Sequence, residues 1–315
     1  MAGLAAPESI VVPDKMLAGS GINVMVDEVT QVDAAQRCVQ LSDGRALDYD
    51  KLFLGMGAQS VIPPIEGIEL NGVLALRGLD DAEKIRAYIA EKDPRHLLFV
   101  GAGFISLEVA TLLASSGNGQ RPVTIVELMD RPLPLMLDGE MAASVGEYLE
   151  EKGLTVLTGE KVSRIVGSGG QVTRVELASG KSIEADMVFV NVGVRPNTEL
   201  AESAGLEMGR FGIKVNSYQE TSDPHILAGG DCVEKINFVT SKPEGDACGD
   251  RRSCRGAWRP NAWPATISSF PVCSTPAGAR CSTWWSPPRA SPKPTPRPRE
   301  SRRSARWWTP AASMP

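Results

Sequence analysis

Apolar and polar positions along this chain fall into short blocks rather than long amphipathic stretches. The clearest block lies between Leu97 and Glu127. Four consecutive apolar residues, Leu97, Leu98, Phe99 and Val100, run into Gly101-Ala102-Gly103, and an apolar helical stretch follows. A second apolar strand, 123–126, then ends on Glu127. An uninterrupted apolar run bounded by glycines predicts a strand buried on both faces. Strand, glycine turn, helix, and strand with an acid at its tip together predict half of a dinucleotide-binding fold.

The remaining pattern surrounds that block with strands and two further helices. Partial alternation predicts strands at 23–27, 28–33 and 37–41, with Asp43-Gly44 as a hairpin turn that needs positive φ. Residues 49–58 read as a buried strand entering a glycine turn, and Pro63-Pro64 as a linker leaving a domain. Helical spacing covers 80–90, stopped by Asp93-Pro94, and 138–151, with Asp138 as cap and Gly153 as stop. Between and after them the pattern predicts strands at 155–157, 162–166, 172–177 and 181–184, the last three as a meander. A buried strand follows over 185–193. Residues 221–231 give a polar turn, a short strand and a glycine pair before Asp231.

The chemistry of the central block follows from its residue types. Gly101 permits a tight turn, and Gly103 lets backbone N–H groups approach a pyrophosphate where the helix begins. The first amides of a helix lack partners, and its dipole favours negative charge there. Glu127 stands where a carboxylate accepts hydrogen bonds from both hydroxyls of an adenosine ribose. A 2′-phosphate would meet like charge, so NAD is favoured over NADP, although Arg131 nearby leaves NADP open. The third glycine position of the fingerprint holds Ser106, small enough for close helix–strand packing.

Composition divides the chain. Residues 1–242 carry 21 Lys and Arg against 34 Asp and Glu, whereas residues 243–315 carry 12 against 4. All six Trp and four of the six Cys lie in that second part, which has no Leu. Proline-rich sequence with few aliphatics buries too little surface to order itself, so the tail is expected to be disordered. Its residue types are also those of a GC-rich gene read out of frame. A nucleic-acid arm, with Arg for phosphates and Trp for stacking, is the weaker reading, and no nucleic-acid partner is expected. No stretch has the apolar length of a membrane span, and no basic-then-apolar leader opens the chain. Cys38 and Cys232 lack metal spacing, so no metal is expected, and cytoplasm is the default location. His96 and His225 read as structural.

Five motifs in order resemble the pyridine nucleotide–disulfide oxidoreductase family, and among its branches the NADH oxidase and coenzyme A–disulfide reductase branch. They are YDKLFLGMGA over 49–58, VGAGFISLE over 100–108, VTIVE over 123–127, VGVRPN over 192–197 and ILAGGD over 226–231. The resemblance implies an α/β chain with a Rossmann-like NAD-binding domain over 81–214, inserted into an FAD-binding domain of the same type. That FAD domain is represented by 1–80 and 215–242, with 243–315 as the tail. Gly101, Ala102, Gly103, Phe104 and Ile105 would line the NAD pyrophosphate and nicotinamide path. Glu108 would lie near the nicotinamide carboxamide and flavin, although on spacing alone it equally faces solvent. Glu127 would hold the ribose, and Gly193 would pass the nicotinamide half. Asp231 would bond the flavin's ribityl or ribose hydroxyls, Val29 would meet the FAD adenine through its backbone, and Gly57, with Gly55, would support the flavin or only end its strand.

The departures from the family pattern set the remaining expectations. The first FAD motif, the redox cysteine and the dimerisation domain are expected to be missing, so FAD retention and homodimerisation are in doubt and no catalytic residue is assigned. Two functions stay open: a flavin-dependent NADH oxidoreductase delivering electrons to a small-molecule acceptor such as a disulfide or oxygen, and a non-catalytic NAD-binding remnant.

Overall fold

Leu97–Val100 is the middle strand of a five-stranded parallel sheet. The order across the sheet is Leu154–Thr158, Val123–Glu127, Leu97–Val100, Met187–Val190 and Val73–Leu74. The computed structural model describes residues 14–19, 22–115, 121–237, 239–244, 272–273 and 282–285, and the statements below concern these.

Both faces of the sheet are covered, which is why its strands carry no polar alternation. On one face Leu97, Phe99, Ile125, Met187 and Phe189 pack against helices Leu79–Lys92, Phe104–Ser115 and Gly139–Glu151 through Ile85, Tyr88, Leu107, Val109, Leu113 and Leu149. The rings of Phe99 and Phe189 stack with centroids 4.4 Å apart. On the other face Leu98, Val100, Val126, Val188 and Val190 meet Val162, Ile165, Val172 and Val175. These belong to the antiparallel strands Val162–Ser168 and Gln171–Leu177, which Ser182–Glu184 completes as a meander. Each such fully buried side chain contributes about 1.5–3 kcal/mol relative to exposure, so this doubly covered sheet is the stable frame of the site.

Local signals place the helix ends. The Asp138 carboxylate accepts the Met141 amide at 3.0 Å, capping its helix as the sequence predicts. Helix Leu79–Lys92 stops at Asp93, which adopts the left-handed conformation before Pro94. At the N-terminal edge of the sheet, Asp186 Oδ2 accepts the amides of Arg95 and His96 at 3.0 and 2.9 Å and faces His96 Nδ1 at 3.1 Å. His96 ties two strand starts together, which is a structural role.

A second cluster is built from the antiparallel strands Val29–Asp33, Cys38–Leu41 and Ala46–Asp48, and from the parallel pair Leu52–Leu54 and Ile226–Ala228. Gly44, at φ +86°, turns the hairpin. Two crossings connect the units, Ala58–Ser60 outward and Val194–Pro196 back, and they pair antiparallel as a ribbon. The packing on either side of the ribbon runs past residues 81 and 214. Val73–Leu74 lies in the parallel sheet before residue 81, while Ala201, Leu206 and Ile213 pack in the second cluster before residue 214. The buried strand predicted over 185–193 is confined to Met187–Val190.

Of the Arg- and Pro-rich tail, Pro243–Glu244, Val272–Cys273 and Ser282–Trp285 are described as short strands, the last two paired with Leu52–Leu54 and Ile22–Val24. The expectation of disorder otherwise falls on residues outside the described ones. Among the described residues no helix is long and apolar enough to cross a membrane, and no cluster of three metal-ligating side chains occurs.

Candidate dinucleotide site

The glycine turn sits at the carboxyl end of the middle strand, where ligands of open parallel sheets bind. Gly101 has φ +96°, and its amide donates to Val126 O at 2.8 Å. A Cβ there would lie 2.6 Å from Asn191 O, so both the backbone angle and the close approach of the neighbouring strand end require glycine. Gly103 differs. No protein atom comes within 4 Å of its Cβ position, so nothing inside the chain explains the missing side chain. The open space lies at the start of helix Phe104–Ser115, where backbone amides face outward. Ser106, in the third fingerprint position, is fully buried, as close packing demands.

Glu127 is bound into this turn. Its Oε2 accepts the Ala102 amide at 2.7 Å and its Oε1 the Met129 amide at 2.8 Å, and the residue is only 8% exposed. The following loop folds back, with Leu133 N donating to Ala102 O at 3.0 Å. The acid at one strand tip and the turn at the next are therefore one hydrogen-bonded assembly. Arg131 pairs with Asp130 at 3.1 Å. A cleft of about 350 Å³ opens beside them, between Asp130–Pro132 and the Gly139, Ala142 and Gly146 face of the next helix.

Phe104, Glu108 and Leu112 share one exposed helix face, at positions four apart, while Ile105 is half-buried. Glu108 points away from the core. Gly193 adopts φ +123° directly after Val192, and its carbonyl accepts the Val61 amide at 3.0 Å. Sequence reasoning missed Asn191. Its carbonyl abuts Gly101, its Oδ1 accepts the Leu76 amide at 3.3 Å, and its Nδ2 is buried without a partner. The only signal was its place immediately before the 192–197 motif.

The second unit holds the other candidates. Gly57 has φ +65°, and its carbonyl accepts the Asn197 amide at 3.0 Å. The Asn197 side chain donates to Met56 O at 2.8 Å. Val29 is buried at the start of its strand, paired with Leu41. The Asp231 carboxylate accepts a hydrogen bond from Arg77, a residue that sequence reading gave no role, and its other oxygen lies 3.7 Å from Lys235 Nζ. Cys232 is fully buried with its sulfur 3.2 Å from Gly229 O, and burial pushes its thiol pKa up. A thiol held protonated in this way is a packing residue rather than a nucleophile. Cys38 is buried at the start of the antiparallel strand Cys38–Leu41. The structure thus gathers Gly101 to Ile105, Glu108 and Glu127 on one unit, brings Gly193 to the ribbon, and leaves Val29, Gly57 and Asp231 on the other.

The model of the family described as pyridine nucleotide-disulphide oxidoreductase matches residues 4–244. The chain belongs to this family. Among its relatives, NADH oxidase of Methanocaldococcus jannaschii is 40% identical over 225 residues, 69% of this chain and 49% of that protein. Rubredoxin-NAD(+) reductase of Pseudomonas putida is 34% identical over 227 residues, 72% of this chain and 57% of that protein. The solved structure of an NAD-dependent persulfide reductase from A. fulgidus superposes with a TM-score of 0.68 at 41% identity, covering 73% of this chain and 42% of that one. The reduced CoADR-RHD of Bacillus anthracis gives 0.72 at 31% identity, covering 81% and 47%. The chain thus spans about half the length of the relatives it matches.

Proposed function

We propose that this chain binds NADH at the glycine turn and presents it to a flavin held on the Asp231 side. The observation that carries the reading is the Glu127 carboxylate, bonded to both the turn and its own loop. Two features fit a dinucleotide here: the unpartnered amides at the start of the helix after Gly103, and the unfilled space above Gly103. On the Asp231 side the fit is partial. Asp231 supplies acceptors for hydroxyls, and Gly230, at φ +86° with open space beside it, leaves room for them. Among the described residues no second glycine turn opens an α-helix in that unit; the pair Gly229-Gly230 opens only the single 3-10 turn Gly230–Cys232.

Bound together, the two cofactors supply the chemistry, transfer of a hydride from dihydronicotinamide to flavin, and the protein's share is orientation. Glu127 fixes the adenosine ribose. The helix amides after Gly103 neutralise the pyrophosphate. Phe104 and Ile105 offer an apolar shelf toward the nicotinamide end, with Glu108 one turn further for the carboxamide. The negative charge of Glu127 would oppose a 2′-phosphate, and Arg131 already pairs with Asp130, which together support NADH over NADPH. A flavin held there would supply electrons to a disulfide-type acceptor or oxygen.

The test is a visible spectrum of the purified chain after incubation with FAD and removal of free cofactor. A retained flavin band that bleaches with NADH is the expected result. NADH binding without a flavin band would instead establish the non-catalytic NAD-binding remnant, a reading favoured by the existing pairing of Asp231 with Arg77.

A further inference from the structure

The ribbon of Ala58–Ser60 and Val194–Pro196 is the covalent connection between the units, and a two-stranded ribbon alone is marginally stable. Arg77 adds a third tie. It sits on the loop between Val73–Leu74 and helix Leu79–Lys92. There the amides of Arg77 and Gly78 donate to Asp81 Oδ2 at 2.9 and 3.0 Å, which fixes the loop to the helix. From this anchored base the guanidinium reaches two acceptors at once. Its Nε donates to Ala58 O, on the ribbon, at 3.2 Å, and its Nη2 donates to the Asp231 carboxylate of the second unit. The Arg77 and Asp231 side chains are 35% and 21% exposed, so the contact is partly shielded from water.

We propose that Arg77 is a positioning residue that sets the angle between the two units. It clamps the nicotinamide unit to the ribbon and to Asp231 through the two arms of one planar group. Hydride transfer requires the two rings to lie in contact, and each ring belongs to a different unit. The clamp therefore acts on the transfer step, because the Arg77 guanidinium bonds Ala58 O and Asp231 and none of the residues of the glycine turn. The kinetic consequence rests on the function proposed above, whereas the clamp itself does not. A guanidinium holds two acceptors in a fixed geometry, and a lysine ammonium on a flexible stem does not replace it.

The test uses the full chain and the variants Arg77→Ala, Arg77→Lys and Asp231→Asn, with three readouts. These are NADH affinity by titration, the rate at which NADH bleaches retained flavin, and hydrogen exchange at the Val61 and Asn197 amides. Those amides bond Gly193 and Gly57 across the ribbon. The proposal expects unchanged NADH affinity in both Arg77 variants, and bleaching slowed by about ten- to a hundredfold, the scale of a 1 Å misplacement. It expects ribbon exchange faster by about tenfold in all three variants. Ribbon exchange unchanged in Arg77→Ala overturns the clamp, as does Arg77→Lys behaving like the parent in both exchange and bleaching. A parent chain that keeps no flavin overturns the proposed function alone, and the exchange result then decides the clamp.

Discussion

Two of the roughly four lone-pair positions of the Glu127 carboxylate are taken by the amides of Ala102 and Met129, which leaves the others for ribose hydroxyls. On the proposed reading the side chain is a fastener of the turn and a ligand-binding group together. Replacing it by alanine is expected to weaken NADH binding by about 1–3 kcal/mol through lost charge-assisted bonds. It also strips the buried Ala102 amide of its acceptor, at a further cost to folding of about 1–3 kcal/mol. Calorimetric titration and a denaturant melt of Glu127→Ala separate the two losses. Unchanged affinity beside lowered stability would leave only the fastening role. Sequence alone proposes this acid for a ribose because a strand tip after a glycine turn is a short-range pattern. It did not reveal the bond to Ala102, which depends on how two strand ends face each other.

At the level of elements, the middle strand and its turn form the most constrained region. Gly101→Ala is expected to destabilise the fold by about 1–3 kcal/mol, the scale of a strained backbone, because the residue sits at φ +96° with Asn191 O in the way. The check is a melt compared with Gly103→Ala, where open space predicts little loss of stability and a selective loss of NADH affinity. The opposite edge of the same sheet titrates. Burial raises the Asp186 pKa, but the amides of His96 and Arg95 and the His96 ring outweigh it, so the carboxyl lies below its ordinary value. A carboxyl with a depressed folded pKa adds stability that is fully present above its ordinary pKa, about 3.9, and is lost as pH falls through the folded value. Asp186→Asn should therefore be less stable than the parent at pH 7, with the gap closing below about pH 4. A gap that persists in acid would assign the loss to packing. The strands and helices of this unit were legible because each carries its own period, cap or glycine stop. Val73–Leu74, Asn191 and Arg77 were not, since their roles come from partners far away in sequence.

Across the whole molecule, the two sides of the parallel sheet and the second unit hold separate hydrophobic clusters, and the ribbon is the bridge between units. Unfolding is expected in two transitions, with NADH shifting only that of the parallel-sheet unit. At a hundredfold excess over Kd the shift is about 2.7 kcal/mol. A single transition moved as a whole by NADH would show the units to be one cooperative body. The fold class was readable from five ordered motifs, whereas the packing partners of residues 199–213 were not. Residues 199–213 carry ordinary helix and turn signals, and only their packing on Val32, Leu52 and Ile226 assigns them.

The pairing of Pro196 with Ala58 means that the chain leaves for the parallel-sheet unit and comes back at one spot. The intervening stretch behaves as a cassette whose two ends touch. Such a module can be excised and its ends joined, or exchanged for another with ends equally close, without redrawing the host around it. Gene-level shuffling of nucleotide domains needs that geometry, and this ribbon provides it.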